Sequence, residues 1–235
     1  MMWKIYTPSP RKWGSKKIIY LMQKISTFLG MTVVVAATLL SGCSSPPSKF
    51  YVLSSLNQLQ AAIPKRPLAR CLYLGVGPIK IPRYLQTPQV VVRLTNNQVH
   101  LSEFHRWAEP LRVNVESVLA QNLRWLLGVR HIVKYPWSLN QRVDLHLKVS
   151  IVRFDTDAKG LSVLVAHWRL LDKHDKQVYL TNSANFQQLA KPQNYHSIIA
   201  SMNNNLANLS EDIASDIRKL FQKYPNWRRR YVRCK

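Results

Sequence analysis

VDLHLKVSIVRF, from Val143 to Phe154, alternates apolar and polar residues along most of its length. Val143, Leu145, Leu147, Val149 and Ile151 share one face, and Asp144, His146, Lys148 and Ser150 share the other. A period of two is the mark of a strand buried on one side, so the second set is expected to face solvent. Asp155–Gly160 supplies the next turn, with Asp155 and Asp157 as its turn-forming carboxylates. Leu161–Leu171 resumes the alternation with Leu164, Ala166, Trp168 and Leu170 on one face. Asp172–Asp175 turns the chain again, and Gln177–Leu189 reads as a third strand. Three strands joined by short polar turns predict an antiparallel meander.

Downstream, Tyr195, Ile198, Met202, Leu206, Leu209, Ile213, Ile217 and Leu220 recur at threes and fours. That spacing is an amphipathic helix, with Asn203, Asn204, Asn205, Asn208, Glu211, Asp212 and Asp216 on its other faces. Laying the helix on the meander buries both apolar faces at once, although the same stripe could pack on another subunit. Upstream, Pro110 opens a second helical pattern through Val115, Leu119, Leu123 and Leu126, with Gly128 as its stop. Gln89–Leu94 and Val99–Leu101 flank Thr95–Gln98 as a hairpin. Phe50–Leu53, the segment from Cys71, and Arg130–Tyr135 read as further short strands. The expected fold class is α+β: a mainly antiparallel sheet, a mid-chain helix, and a long C-terminal amphipathic helix packed on one face.

The first 47 residues read differently. Basic residues at Lys4, Arg11, Lys12, Lys16, Lys17 and Lys24 precede an apolar run beginning at Ile25, and no acid occurs among them. The run ends in Leu40, Ser41, Gly42 and Cys43. Basic, apolar and small residues in that order form an export signal, and the apolar run is short for a membrane-spanning helix. Cys43 directly after Leu-Ser-Gly is a lipobox, which predicts cleavage before Cys43, a diacylglycerol on its thiol and an acyl chain such as palmitate on its amine. Met22 would open a more compact signal than Met1. The organisation is therefore a signal peptide over 1–42, a lipidated cysteine and short tether over 43–49, a single domain over 50–224, and a basic tail over 225–235. Seven residues from Cys43 to Phe50 reach at most about 25 Å, which would hold the domain at the membrane surface.

The chain carries a net charge of +23, and a strong basic excess survives removal of the signal. Export makes nucleic acid an unexpected partner and favours an anionic membrane or an acidic protein. Once Cys43 is lipidated, Cys71 and Cys234 remain. A bridge between them is allowed in an exported protein, but a buried free Cys71 is the simpler expectation. The sequence lacks a Gly-x-Ser-x-Gly elbow, a His-Glu-x-x-His pair, a Cys-x-x-Cys pair and a P-loop. Gly75 and Gly77 lack the third glycine of a dinucleotide loop. His100 and His105 flank Glu103 without further ligands, so no metal and no cofactor is expected beyond the lipid on Cys43. No catalytic residue is assigned, and an enzyme is not expected.

Several segments in order resemble one family: Cys43 in its lipobox, FYVL (Phe50–Leu53), VGPIKIPRYL (Val76–Leu85), WAEPL (Trp107–Leu111), VDLHLKV (Val143–Val149) with Phe154, the strand bearing Trp168, and Tyr195 leading into SEDIASDI (Ser210–Ile217). Together they resemble the ABC-type transport auxiliary lipoproteins of the PqiC/YmbA type. The long segment before the signal and the arginine-rich tail after Tyr224 depart from that pattern. The resemblance implies a non-enzymatic docking component of an MCE-type intermembrane lipid-transport system. It would be anchored on the periplasmic face of the outer membrane, with a periplasm-spanning MCE-domain protein as partner and homo-oligomerisation left open. Ser44 agrees, since retention at the inner membrane usually requires aspartate at that position. The motif loops supply the candidate partner contacts Pro82, Arg83, Tyr84, Leu85, Trp107 and Pro110. The alternative is a stand-alone envelope lipoprotein binding a lipid or small ligand between helix and sheet.

Overall fold

The computed structural model describes residues 46–56, 68–69, 71–138 and 140–227. The chain divides into two compact units, Met1–Pro46 and Pro47–Lys235. The lipobox residues Leu40, Ser41, Gly42 and Cys43, the sorting residue Ser44 and most of the tail lie outside the described residues.

In the second unit eight strands form one sheet: β1 (Lys49–Tyr51), β2 (Tyr73–Lys80), β3 (Gln89–Thr95), β4 (Gln98–Trp107), β5 (His131–Lys134), β6 (Leu145–Asp157), β7 (Leu161–Asp172) and β8 (Val178–Leu189). Two long helices accompany them, α1 (Leu111–Leu127) and α2 (Tyr195–Lys223). The expected meander is β6–β7–β8, paired antiparallel almost end to end, from Leu145↔Asp172 to Thr156↔Ser162 and from Leu161↔Leu189 to Leu171↔Val178. The expected hairpin is β3–β4. Most paired residues lie in these antiparallel ladders, but the sheet is mixed. β2 runs parallel to both β5 and β6, β3 parallel to β6, and β1 parallel to β4. The second edge of β6 is shared: β2 takes its first half, from Leu145 to Ser150, and β3 its last two residues, Thr156 and Asp157.

α1 packs on β2 and β5, α2 on β6, β7 and β8, and the helices pack on each other, so both cover one face. Leu145, Leu147, Val149, Phe154, Leu164, Trp168 and Leu170 fill that face from the sheet side, all nearly inaccessible to water. Ile198, Met202, Leu206, Leu209, Ile213 and Ile217 meet them from α2, which is the stripe expected from the sequence. At about 25 cal/mol per Å² of apolar surface, each such side chain contributes roughly 1.5–3 kcal/mol. The ends of the helices also follow local rules. Gly128 closes α1 in the left-handed region at φ 62°, and Asn194 caps α2 by accepting from the Ser197 N–H at 3.0 Å.

Polar residues of α2 expected on outer faces are partly inside. Asn205 is fully buried and donates to the Ser162 carbonyl at 3.1 Å; Asn203 accepts from the Ser54 N–H at 3.0 Å. Asp216 accepts from Trp168 Nε1 at 3.2 Å and Asn182 Nδ2 at 2.9 Å. Between the helices, Asn122 accepts from the Leu56 N–H at 2.7 Å and donates to Ser210 Oγ at 3.0 Å. Cys71 is disulfide-bonded, not a free thiol; its partner lies outside the described residues.

Candidate functional site

Pro82 to Leu85 follows β2 as a loop with a 3-10 turn over Arg83–Leu85. Leu85 is buried in the core, Arg83 is exposed, and Pro82 is half-buried. Tyr84 is fixed from behind. Its hydroxyl donates to Asp155 Oδ2 at 2.9 Å, and Arg93 Nη2 reaches the same carboxylate oxygen at 2.8 Å. Arg153 Nε holds Oδ1 at 2.8 Å. Asp155 is therefore not a turn residue but a fully buried strand carboxylate with two guanidinium partners. Burial works to raise its pKa, yet the hydrogen bonds from Arg93 and Arg153 outweigh it and hold the carboxyl below its usual value. Burial and the neighbouring Asp155 carboxylate push the Tyr84 hydroxyl up to about 12. Asp157 does hold the turn: its Oδ1 accepts from the Lys159 and Leu161 N–H groups at 2.9 and 2.8 Å.

The second family segment starts at the end of β4. Trp107 is a core side chain, while Pro110 is exposed and precedes α1. Trp107 N–H donates to the Pro88 carbonyl at 2.7 Å, and the Ala108 N–H to the Tyr51 carbonyl at 2.9 Å. The two segments thus border one another through β3 and β4. Of the six sequence-derived contact candidates, Arg83 and Pro110 are open to a partner; Leu85 and Trp107 hold the loops in place from the core.

Chemistry-bearing side chains elsewhere are mostly spoken for. His105 packs in a cluster with two tyrosines, its ring centroid 3.5 Å from Tyr195 and 5.7 Å from Tyr51, and it shares a 2.8 Å hydrogen bond with the Tyr51 hydroxyl. His146, expected in solvent, is only 3% exposed. Trp137 and Asp175 cover it, with His146 Nε2 2.5 Å from Asp175 Oδ1. Burial lowers its pKa against the opposing pull of Asp175. Asp144, also expected outside, accepts from the Tyr73 N–H at 3.0 Å and from Arg142 Nε at 3.1 Å. Among the described residues no group of three His, Cys, Asp or Glu side chains converges as a metal site. None of their helices is long and apolar enough to cross a membrane.

The family model for ABC-type transport auxiliary lipoprotein components matches residues 51–214, from the first strand to well inside α2. The chain belongs to that family. No curated protein matches this auxiliary lipoprotein. Among solved structures, a Xanthomonas campestris protein of the DUF330 family aligns with TM-score 0.62 at 15% identity, covering 76% of this chain and 99% of that one. A second, uncharacterized protein aligns with TM-score 0.59 at 20% identity over 73% and 99% of the two chains. Both show that the fold is shared. The PelC dodecamer from Paraburkholderia phytofirmans aligns at TM-score 0.38 and 13% identity over 62% and 91%, too distant a likeness to carry an argument. The family resemblance drawn from the ordered motifs is thus borne out, and the α+β class with it.

Proposed function

We propose that this auxiliary lipoprotein is a non-enzymatic docking component of an MCE-type intermembrane lipid-transport system, anchored by Cys43 at the periplasmic face of the outer membrane. Family membership across 51–214 carries the reading. The lipobox and Ser44 support the anchor and its membrane, and Arg83 with Pro110 offers the exposed part of the contact surface. The buried network behind Tyr84 supports that role physically, because a loop held by core side chains and a buried carboxylate loses little freedom when a partner binds.

Affinity capture of the full chain from detergent-solubilised envelopes is expected to recover an MCE-domain protein. Arg83→Glu combined with Pro110→Asp is expected to weaken that recovery without altering the circular dichroism of the chain. Capture that never enriches an MCE-domain protein refutes the docking role. Cys43→Ala is expected to abolish labelled-palmitate incorporation and membrane retention; labelling that persists refutes the anchor.

A further inference from the structure

The face of the sheet away from the helices carries a groove of about 510 Å³. Lys80, Ser150 and His167 form one row across β2, β6 and β7; Lys148, Arg169 and Thr181 form the next across β6, β7 and β8. Alternation along each strand sends all six side chains to that face, since Val149 and Trp168 between them are buried beneath the helices. Lys148 and Arg169 are direct cross-strand partners. Like charges in that position destabilise a sheet, so the pairing is not explained by folding. Lys148 is partly neutralised by Asp175 Oδ2 at 2.6 Å. Lys80 and Arg169 have no ion-pair partner among the described residues.

We propose that this groove binds the phosphodiester headgroup of an anionic phospholipid. A guanidinium with two ammonium groups matches a phosphate's charge and geometry, and the Ser150 and Thr181 hydroxyls donate to its remaining oxygens. The volume lies in the range of small-ligand sites. An acidic peptide fits less well. Across β6 and β7 the main-chain groups under the groove are committed to the ladders, so strand addition is open only at the sheet edges on β2 and β8, and six of the nine residues lining the groove are polar or charged. The choice of a lipid over a soluble phosphate ester rests on the anchored reading, which keeps the domain within reach of a bilayer.

The test is a lysine footprint on the full lipidated chain in nanodiscs of phosphatidylcholine, of phosphatidylcholine mixed with phosphatidylglycerol, and of phosphatidylcholine with soluble glycerol phosphate or poly-glutamate added. Acetylation of Lys80 and Lys148 is expected to slow at least about fivefold with phosphatidylglycerol, while exposed Lys191 is unchanged. Arg169→Glu is expected to remove the protection; if that variant misfolds, Lys80→Glu is read through Lys148. Equal labelling in the two lipid compositions, or protection that survives these variants, overturns the proposal. Equal protection by glycerol phosphate overturns the lipid source, and protection by poly-glutamate alone overturns the phosphate class. Failure of the anchor is separately visible as a chain that does not co-elute with phosphatidylcholine discs.

Discussion

Asp155→Asn removes one charge from the buried network behind Tyr84 while keeping the side chain's shape. Asp155 is fully buried; its partners Arg93 and Arg153 have side chains 18% and 30% exposed. Deleting one member of a buried pair costs roughly 3–5 kcal/mol, because the other charge is left without compensation. Here both arginines recover some hydration, which puts the loss near the lower bound, at about 3 kcal/mol. For a domain of this size that corresponds to a fall of roughly 6–12 °C in Tm. Differential scanning calorimetry at pH 7 reads the shift, and urea unfolding reads the free energy. The pH dependence gives a second check. The folded carboxyl titrates below its ordinary value near 3.8, so its contribution is complete above that value and is lost as pH falls through the lower folded one. The gap between wild type and variant should therefore close in that acid window. A Tm within about 2 °C of wild type at pH 7 would refute the network's role.

Asp216→Ala should leave Trp168 Nε1 buried without an acceptor and cost about 2 kcal/mol in urea unfolding, with a change in tryptophan emission. Gly77→Ala should impair folding outright. Its φ is 114°, and an added Cβ would lie 2.6 Å from Glu116 Oε1 and 2.7 Å from Tyr135 Cβ, so soluble yield and urea midpoint should both fall. His146, held neutral by burial, should make the domain less stable as pH falls from about 6.5 through its lowered folded pKa, because the unfolded chain takes up the proton first. His146→Gln should flatten that part of the pH–stability profile.

Periodicity made the long elements legible. The alternation after Val143 and the threes and fours from Tyr195 each encode one buried face, and Pro110 and Gly128 mark the ends of α1. The same logic assigned the polar residues of these elements to outer faces, and Asp155 to a turn, and there it failed. Asn203, Asn205, Asp216, His146 and Asp155 are buried because partners distant in sequence meet them, and nothing local announces Ser54, Ser162 or Trp168 as those partners. The parallel pairings of β1, β2, β3 and β5 were hidden for the same reason, since no turn links a strand to its parallel neighbour. The Cys71 disulfide was readable only as an option, because spacing does not fix connectivity. Of the candidate site, the loop segments were legible as motifs, but which side chains point outward was not. The basic groove was invisible because its six residues come from four strands.

The shared edge of β6 also sets a timetable. Before β6 has emerged, β2 can pair only with four-residue β5, and the β3–β4 hairpin only with three-residue β1. Both wait for one strand that closes two long sequence gaps in parallel register, the slowest kind of contact to form. The eight-stranded sheet therefore cannot close until roughly two thirds of the chain has been made.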